Sequence, residues 1–123
     1  MRIRLIALIA LFCLSLSAQE EELAQAYFEN GEFVKSLDIY LQLYDSAPAR
    51  KFYDGVLQNY KSLEELRKAE RFAKDHLKTN PPNRDYFLAQ LGIVRRLRDD
   101  EEGAREAFEE ILSQVDKNPG RVY

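Results

Sequence analysis

Enzymatic chemistry needs a nucleophile with a base, a bound metal, or carboxylates paired in a pocket, and this 123-residue chain offers few such groups. His76 is the one histidine and Cys13 the one cysteine. A lone imidazole rules out histidine-rich metal ligation, and Cys13 sits in an apolar leader, so no Cys–His pair survives removal of that leader. His76 therefore reads as a structural or partly exposed residue rather than a ligand. Carboxylates are plentiful, but Glu64-Glu65, the run Asp99 to Glu102, and Glu109-Glu110 fall at turns or on polar helix faces. Solvation and the positive end of a helix dipole account for them. The five glycines are scattered singly and form no phosphate-binding loop. These residues point away from an enzyme, a cofactor or a metal site, and toward a binding protein.

Charge narrows the partner. Arg2 and Arg4 lie in the leader, so the chain from Gln19 onward has 16 Lys and Arg against 21 Asp and Glu. An acidic surface without a basic cluster interleaved with aromatics disfavours phosphate backbones, so nucleic acid is not the expected partner. The leader itself runs from a positive start, Met1 to Arg4, through ten apolar residues, Leu5 to Leu14, to the small side chains of Ser15-Leu16-Ser17-Ala18. That order is the pattern of a secretory signal peptide, residues 1–18, with cleavage expected after Ala18 and release outside the cytoplasm, in a bacterial periplasm or envelope. The apolar run is shorter than the roughly 20 residues that cross a bilayer, so membrane contact is expected only through the leader.

The remaining chain reads as helices separated by short breaks. Apolar residues recur at helical spacing in Leu23, Ala24, Tyr27 and Phe28, then in Val34, Leu37, Tyr40, Leu41 and Tyr44, with Asn30-Gly31 between the two runs and Ala47-Pro48 after the second. Phe52 to Tyr60 and Leu66 to Leu77 follow, separated by a break near Ser62 and closed by Asn80-Pro81-Pro82. Phe87 to Leu97 and Ala104 to Val115 flank the acidic turn, and Asn118-Pro119-Gly120 closes the set. The fold class is all-α, six helices of about three turns each.

These helices repeat in pairs. Leu23, Val56 and Leu91 stand 33 and then 35 residues apart, as do Ser36, Ala69 and Ala104, while Pro48 and Pro81 are 33 apart. A period near 34 built from helix pairs is the mark of a solenoid.

In this register the chain resembles the tetratricopeptide-repeat (TPR) family, whose unit follows W-x₂-L-G-x₂-Y…A-x₃-F…P. The first repeat, 19–49, matches through Leu23, Tyr27, Gly31, Ser36, Tyr40 and Pro48; the second, 50–83, through Val56, Tyr60, Ala69, Ala73 and Pro81; the third, 84–118, through Leu91-Gly92, Ala104, Phe108 and Pro119. Glu20 stands at the first repeat's opening aromatic position and Arg95 where the third repeat calls for Tyr. The resemblance implies a short right-handed solenoid of three antiparallel helix pairs. Small Ser36, Ala69 and Ala104 would let paired helices approach, Tyr40 and Phe108 would fill the space between neighbouring pairs, and Leu57 and Gly92 would occupy the other close contact.

The resemblance also implies a function, a non-enzymatic scaffold that binds a protein or extended peptide in a groove lined by the first helix of each pair. The groove positions are Gln25, Phe28, Asp54, Gln58, Lys61, Tyr86, Ile93 and Arg96, joined by Glu21 and Ala89. Glu21 and Gln25 replace the Lys and Asn with which some relatives clamp a terminal carboxylate, which argues against a chaperone-tail receptor. Two other readings stay open: the amino-terminal piece of a larger TPR protein, since residues 119–123 resemble the opening of a further repeat, and a regulatory subunit of an envelope enzyme. The oligomeric state is not fixed by these patterns.

Overall fold

Three turns share one left-handed backbone conformation, and they decide where helices stop. In the computed structural model, which describes the backbone of residues 2–117 and the side chains of residues 4–11 and 16–114, Gly31, Glu64 and Asp99 have φ of 77°, 59° and 62°. At the first of them the Gly31 N–H donates to Phe28 O (3.0 Å) and the Glu32 N–H to Tyr27 O (2.8 Å). At the third, the Asp99 and Asp100 N–H groups donate to Arg96 O and Arg95 O at 3.0 and 2.8 Å. This paired bond satisfies the orphan carbonyls of a helix end. Glycine enters the conformation freely, whereas Glu64 and Asp99 hold it at a cost of about 1 kcal/mol each.

Between these turns and the proline-marked loops lie six α-helices: α1 (Arg2–Glu29), α2 (Phe33–Ser46), α3 (Arg50–Ser62), α4 (Leu66–Leu77), α5 (Arg84–Leu97) and α6 (Glu101–Lys117). No strand occurs among the described residues. The acidic turn does start a helix: Glu101 and Glu102 occupy the first turn of α6, and Asp100 Oδ1 accepts the Gly103 N–H at 3.0 Å. At the other end of α4, Thr79 Oγ1 and Arg84 donate to the carbonyls of His76 and Leu77 at 2.6 and 3.1 Å.

One expectation changes. Instead of a three-turn helix beginning near Leu23, α1 is a single helix of 28 residues, Arg2–Glu29, that takes in the apolar run from Leu5 to Leu14. No Gly or Pro interrupts the segment, and Ala, Leu, Gln and Glu sustain a helix through Ala18. Leu5, Ile6, Leu8, Ile9 and Leu11 are all exposed on it. Among the described residues no helix is long and apolar enough to cross a membrane. The expected stop at Asn118-Pro119-Gly120, the tail 119–123 and the side chain of Cys13 lie outside the described residues.

The helices pack in neighbouring pairs within two compact units, α1–α3 and α4–α6. In the first, α1 packs on α2 and α2 on α3, with Ala24, Leu37, Tyr40, Leu43, Val56 and Leu57 buried. Two polar residues are buried with them. Asn59 Nδ2 donates to Ser36 Oγ at 2.9 Å, and the Ser36 hydroxyl donates to Ala24 O at 2.8 Å, so one chain of hydrogen bonds ties all three helices. Ser36 is thus both the small residue the repeat calls for and a relay.

In the second unit α4 packs on α5 and α5 on α6, around Ala69, Ala73, Leu77, Phe87, Leu88, Leu91, Val94, Ala104 and Ala107. His76 is buried, its ring edge-on to Phe87 at 4.3 Å, and burial lowers its pKa. Phe108 lies against Gly92, where a methyl group would overlap its ring, so it fills its own helix pair rather than the space between pairs. Arg95, the departure from the repeat pattern, crosslinks the unit: Nε meets Glu70 of α4 at 3.1 Å and Nη1 donates to Gly103 O of α6 at 3.0 Å. Arg98 binds the other oxygen of Glu70.

Candidate functional site

The concave feature of the α1–α3 unit is built on a missing side chain. Tyr40, projecting from α2, lays its ring over Gly55 of α3, where a methyl group would overlap it. Gly55 and Gly92 each make room for an aromatic ring, Gly55 for Tyr40 of the preceding pair and Gly92 for Phe108 of its own, and Leu57 is buried. With the ring as one wall, a cleft of about 410 Å³ opens between α1 and α3.

Four of the expected groove residues line this cleft, Gln25 and Phe28 from α1 and Asp54 and Gln58 from α3. Helical spacing brings each pair to one face, since Gln25 and Phe28 are three apart and Asp54 and Gln58 four. Lys51 and Tyr40 complete the lining. Sequence reasoning missed Lys51 as a groove residue and took Tyr40 for core alone. The signal for Lys51 was present, because it stands three and seven residues before Asp54 and Gln58 on the same helical face.

The rim is held by polar contacts. Lys51 Nζ meets Glu21 at 3.0 Å and lies 5.0 Å from the centre of the Phe52 ring. The Tyr40 hydroxyl donates to Gln25 Oε1 at 3.1 Å, and Gln25 Nε2 donates to Glu29 at 3.2 Å, which sets which end of that amide faces which neighbour. Burial raises the pKa of Tyr40, and the charges of Glu21 and Glu29 raise it further, so the phenol stays protonated and keeps its donor. Arg50 lies 3.9 Å from Asp54. Phe28 is half-buried and edge-on to Phe33 at 5.5 Å, leaving part of its ring to the cleft.

The other four expected residues stand elsewhere. Lys61 is half-buried in the last turn of α3, one turn beyond Gln58, and does not line the cleft. Tyr86, Ile93 and Arg96 belong to α5 in the second unit. Tyr86 is half-buried against Phe87 with ring centres 5.2 Å apart, Ile93 is exposed, and Arg96 lies over the Phe108 ring at 5.2 Å and 3.9 Å from Glu101. Half-buried Ala89 shares that helix.

Chemically the cleft presents two side-chain amides, a carboxylate, an ammonium and two aromatic walls. Amides pair with the N–H and C=O groups of an extended backbone, and aromatic walls take an apolar side chain. Among the described residues no group of three or more His, Cys, Asp or Glu is placed to hold a metal ion. The chain matches no protein-family model and no curated protein.

Proposed function

We propose that the chain is a short TPR-like solenoid, exported from the cytoplasm, that works as a non-enzymatic scaffold and holds an extended protein segment in the cleft between α1 and α3. The observation that carries this reading is the convergence of Gln25, Phe28, Asp54 and Gln58 on one cleft. Residues 33 apart in the chain, Gln25 and Gln58, bracket it from two helices, as the spacing of the repeat requires. The segment's backbone lies between the two amides, an apolar side chain packs on Phe28 and Tyr40, and Asp54 and Lys51 select polar neighbours along it. Aromatic anchors with a polar surround are the usual energetic centre of such a site.

The test is site-directed photo-crosslinking in the producing cell's envelope, with the crosslinking residue at Gln58 or, as the outward-facing comparison, at Asp38 of α2. A partner that crosslinks at Gln58, not at Asp38, and is lost with Phe28→Ala supports the cleft. Equal labelling at both positions moves the site to the outer face. Export has its own readout: mass spectrometry is expected to find Gln19, or a residue within about two of it, as the amino terminus. Intact Met1 in the membrane fraction would show that the leader is kept.

A further inference from the structure

The outward face of α4 carries Arg67, Arg71 and Lys74 at positions i, i+4 and i+7, all three exposed, and Lys78 extends the row by a turn. At 1.5 Å per residue the stripe is about 16 Å long. The carboxylates beside it are already engaged, Glu70 by Arg95 and Arg98, and Asp75 by Lys78 at 3.5 Å. Arg67, Arg71 and Lys74 have no ion-pair partner among the described residues.

Thirty-five residues further on, α6 repeats the row with its sign reversed. Glu102, Glu106 and Glu109 are exposed, share the same spacing, and also have no ion-pair partner among the described residues. Ala69 and Ala104, likewise 35 apart, are fully buried and hold the opposite sides of the two helices. Each row therefore stands across its helix from that buried alanine. Lys74 and Glu106 even line one cleft, of about 310 Å³, without pairing across it.

We infer that this face is a self-association surface, on which the α4 row of each copy lies against the α6 row of a second copy. An isologous pairing needs residue i to meet j while j meets i. Two rows of three opposite charges with the same pitch on the same chain satisfy that condition, and Arg67 with Glu102, Arg71 with Glu106 and Lys74 with Glu109 fall into register. An anionic lipid surface fits less well, because Glu106 of α6 lines the same cleft as Lys74 and would oppose it. Exposed ion pairs are weak singly and screened by salt, so the association is reversible and salt-dependent.

Analytical ultracentrifugation of the full chain at about 0.05 M and about 0.5 M NaCl tests the inference. The expected result is a concentration-dependent dimer at low salt that weakens by about tenfold or more at high salt. Arg67→Glu/Arg71→Glu and Glu102→Lys/Glu106→Lys are each expected to sediment as monomers, while circular dichroism shows their helix content unchanged. Mixed one to one, the two variants are expected to recover a dimer, since each row again meets its opposite. A wild-type monomer at low salt, a dimer that ignores the reversals, or folded variants that stay apart when mixed would overturn it. So would a monomeric wild type whose binding to phosphatidylglycerol vesicles is lost with Arg67→Glu/Arg71→Glu, which would assign the α4 row to a membrane surface.

Discussion

The α1–α3 and α4–α6 units are each built of three helices packed in sequence, yet each is held by different physics. In α1–α3 the tie is neutral and fully buried, running from Asn59 through Ser36 to the carbonyl of Ala24. In α4–α6 the buried small residues are Ala69 and Ala104, which have no hydroxyl to relay a bond, and the tie moves outward to Arg95, Arg98 and Glu70, whose side chains are 16–28% exposed. A buried hydrogen bond is strong because its partners have no water to return to, whereas a part-exposed ion pair competes with both water and salt. The two units thus differ in kind: one carries a polar tie inside its core, the other an apolar core with an ionic clasp at its surface. Both units bury small side chains fully, Ser36 in one and Ala69 and Ala104 in the other.

The largest effect is expected from breaking the buried tie. Asn59→Ala leaves a cavity and removes the donor to both Ser36 and the Gly55 carbonyl, and should cost about 2–4 kcal/mol in urea unfolding, with little dependence on salt. An equal loss that shrinks in high salt would mean the tie is not buried as described. Next comes the shared register: Ala104→Leu should overpack the α5–α6 contact and cost about 1–3 kcal/mol. An unchanged unfolding midpoint would contradict the equivalence of Ser36, Ala69 and Ala104.

The ionic clasp sharpens the comparison through salt. Glu70→Gln strands Arg95 and Arg98 without their carboxylate and is expected to cost about 1 kcal/mol at low salt and much less in about 1 M NaCl. The turns offer a gain of similar size: Asp99→Gly relieves the left-handed conformation that Gly31 adopts freely and should stabilise α4–α6 by about 0.5–1 kcal/mol. If Asp99→Gly destabilises, the aspartate contributes more at that turn than its backbone costs.

The smallest effect concerns acid. Burial lowers the folded-state pKa of His76 below the ordinary value, so the unfolded chain takes up the proton first. The stability that His76 contributes is therefore full above about pH 6.5 and falls as the pH drops from there through the lowered value. Thermal midpoints measured from about pH 8 down to about pH 5 should decline in the wild type and stay flatter in His76→Leu.

Much of the architecture was legible in the chain. The Asn30-Gly31 break, the boundary at Ala47-Pro48, the span Leu66 to Leu77 and the acidic start of α6 all follow from local causes, namely missing side chains, missing N–H groups and helix-end electrostatics. The buried faces were legible from apolar spacing, and so was the helical face shared by Gln25 and Phe28, whereas Lys61, three residues beyond Gln58, does not line the cleft. The continuation of α1 through the leader was not, because the reading treated residues 1–18 as a processing signal and asked nothing of their conformation.

By itself, then, the sequence determined where the chain breaks between helices and which side of most of them is apolar, because propensity, caps and periodicity act between residues a few positions apart. Tertiary structure decided which distant residues meet. Gly55 became the floor beneath Tyr40, Asn59 found Ser36, and Arg95 replaced an expected tyrosine as a clasp between three helices. Those outcomes depend on the distance and angle at which two helices pack, and side chains 15 to 25 positions apart enter that geometry together, so no single helix's pattern contains it.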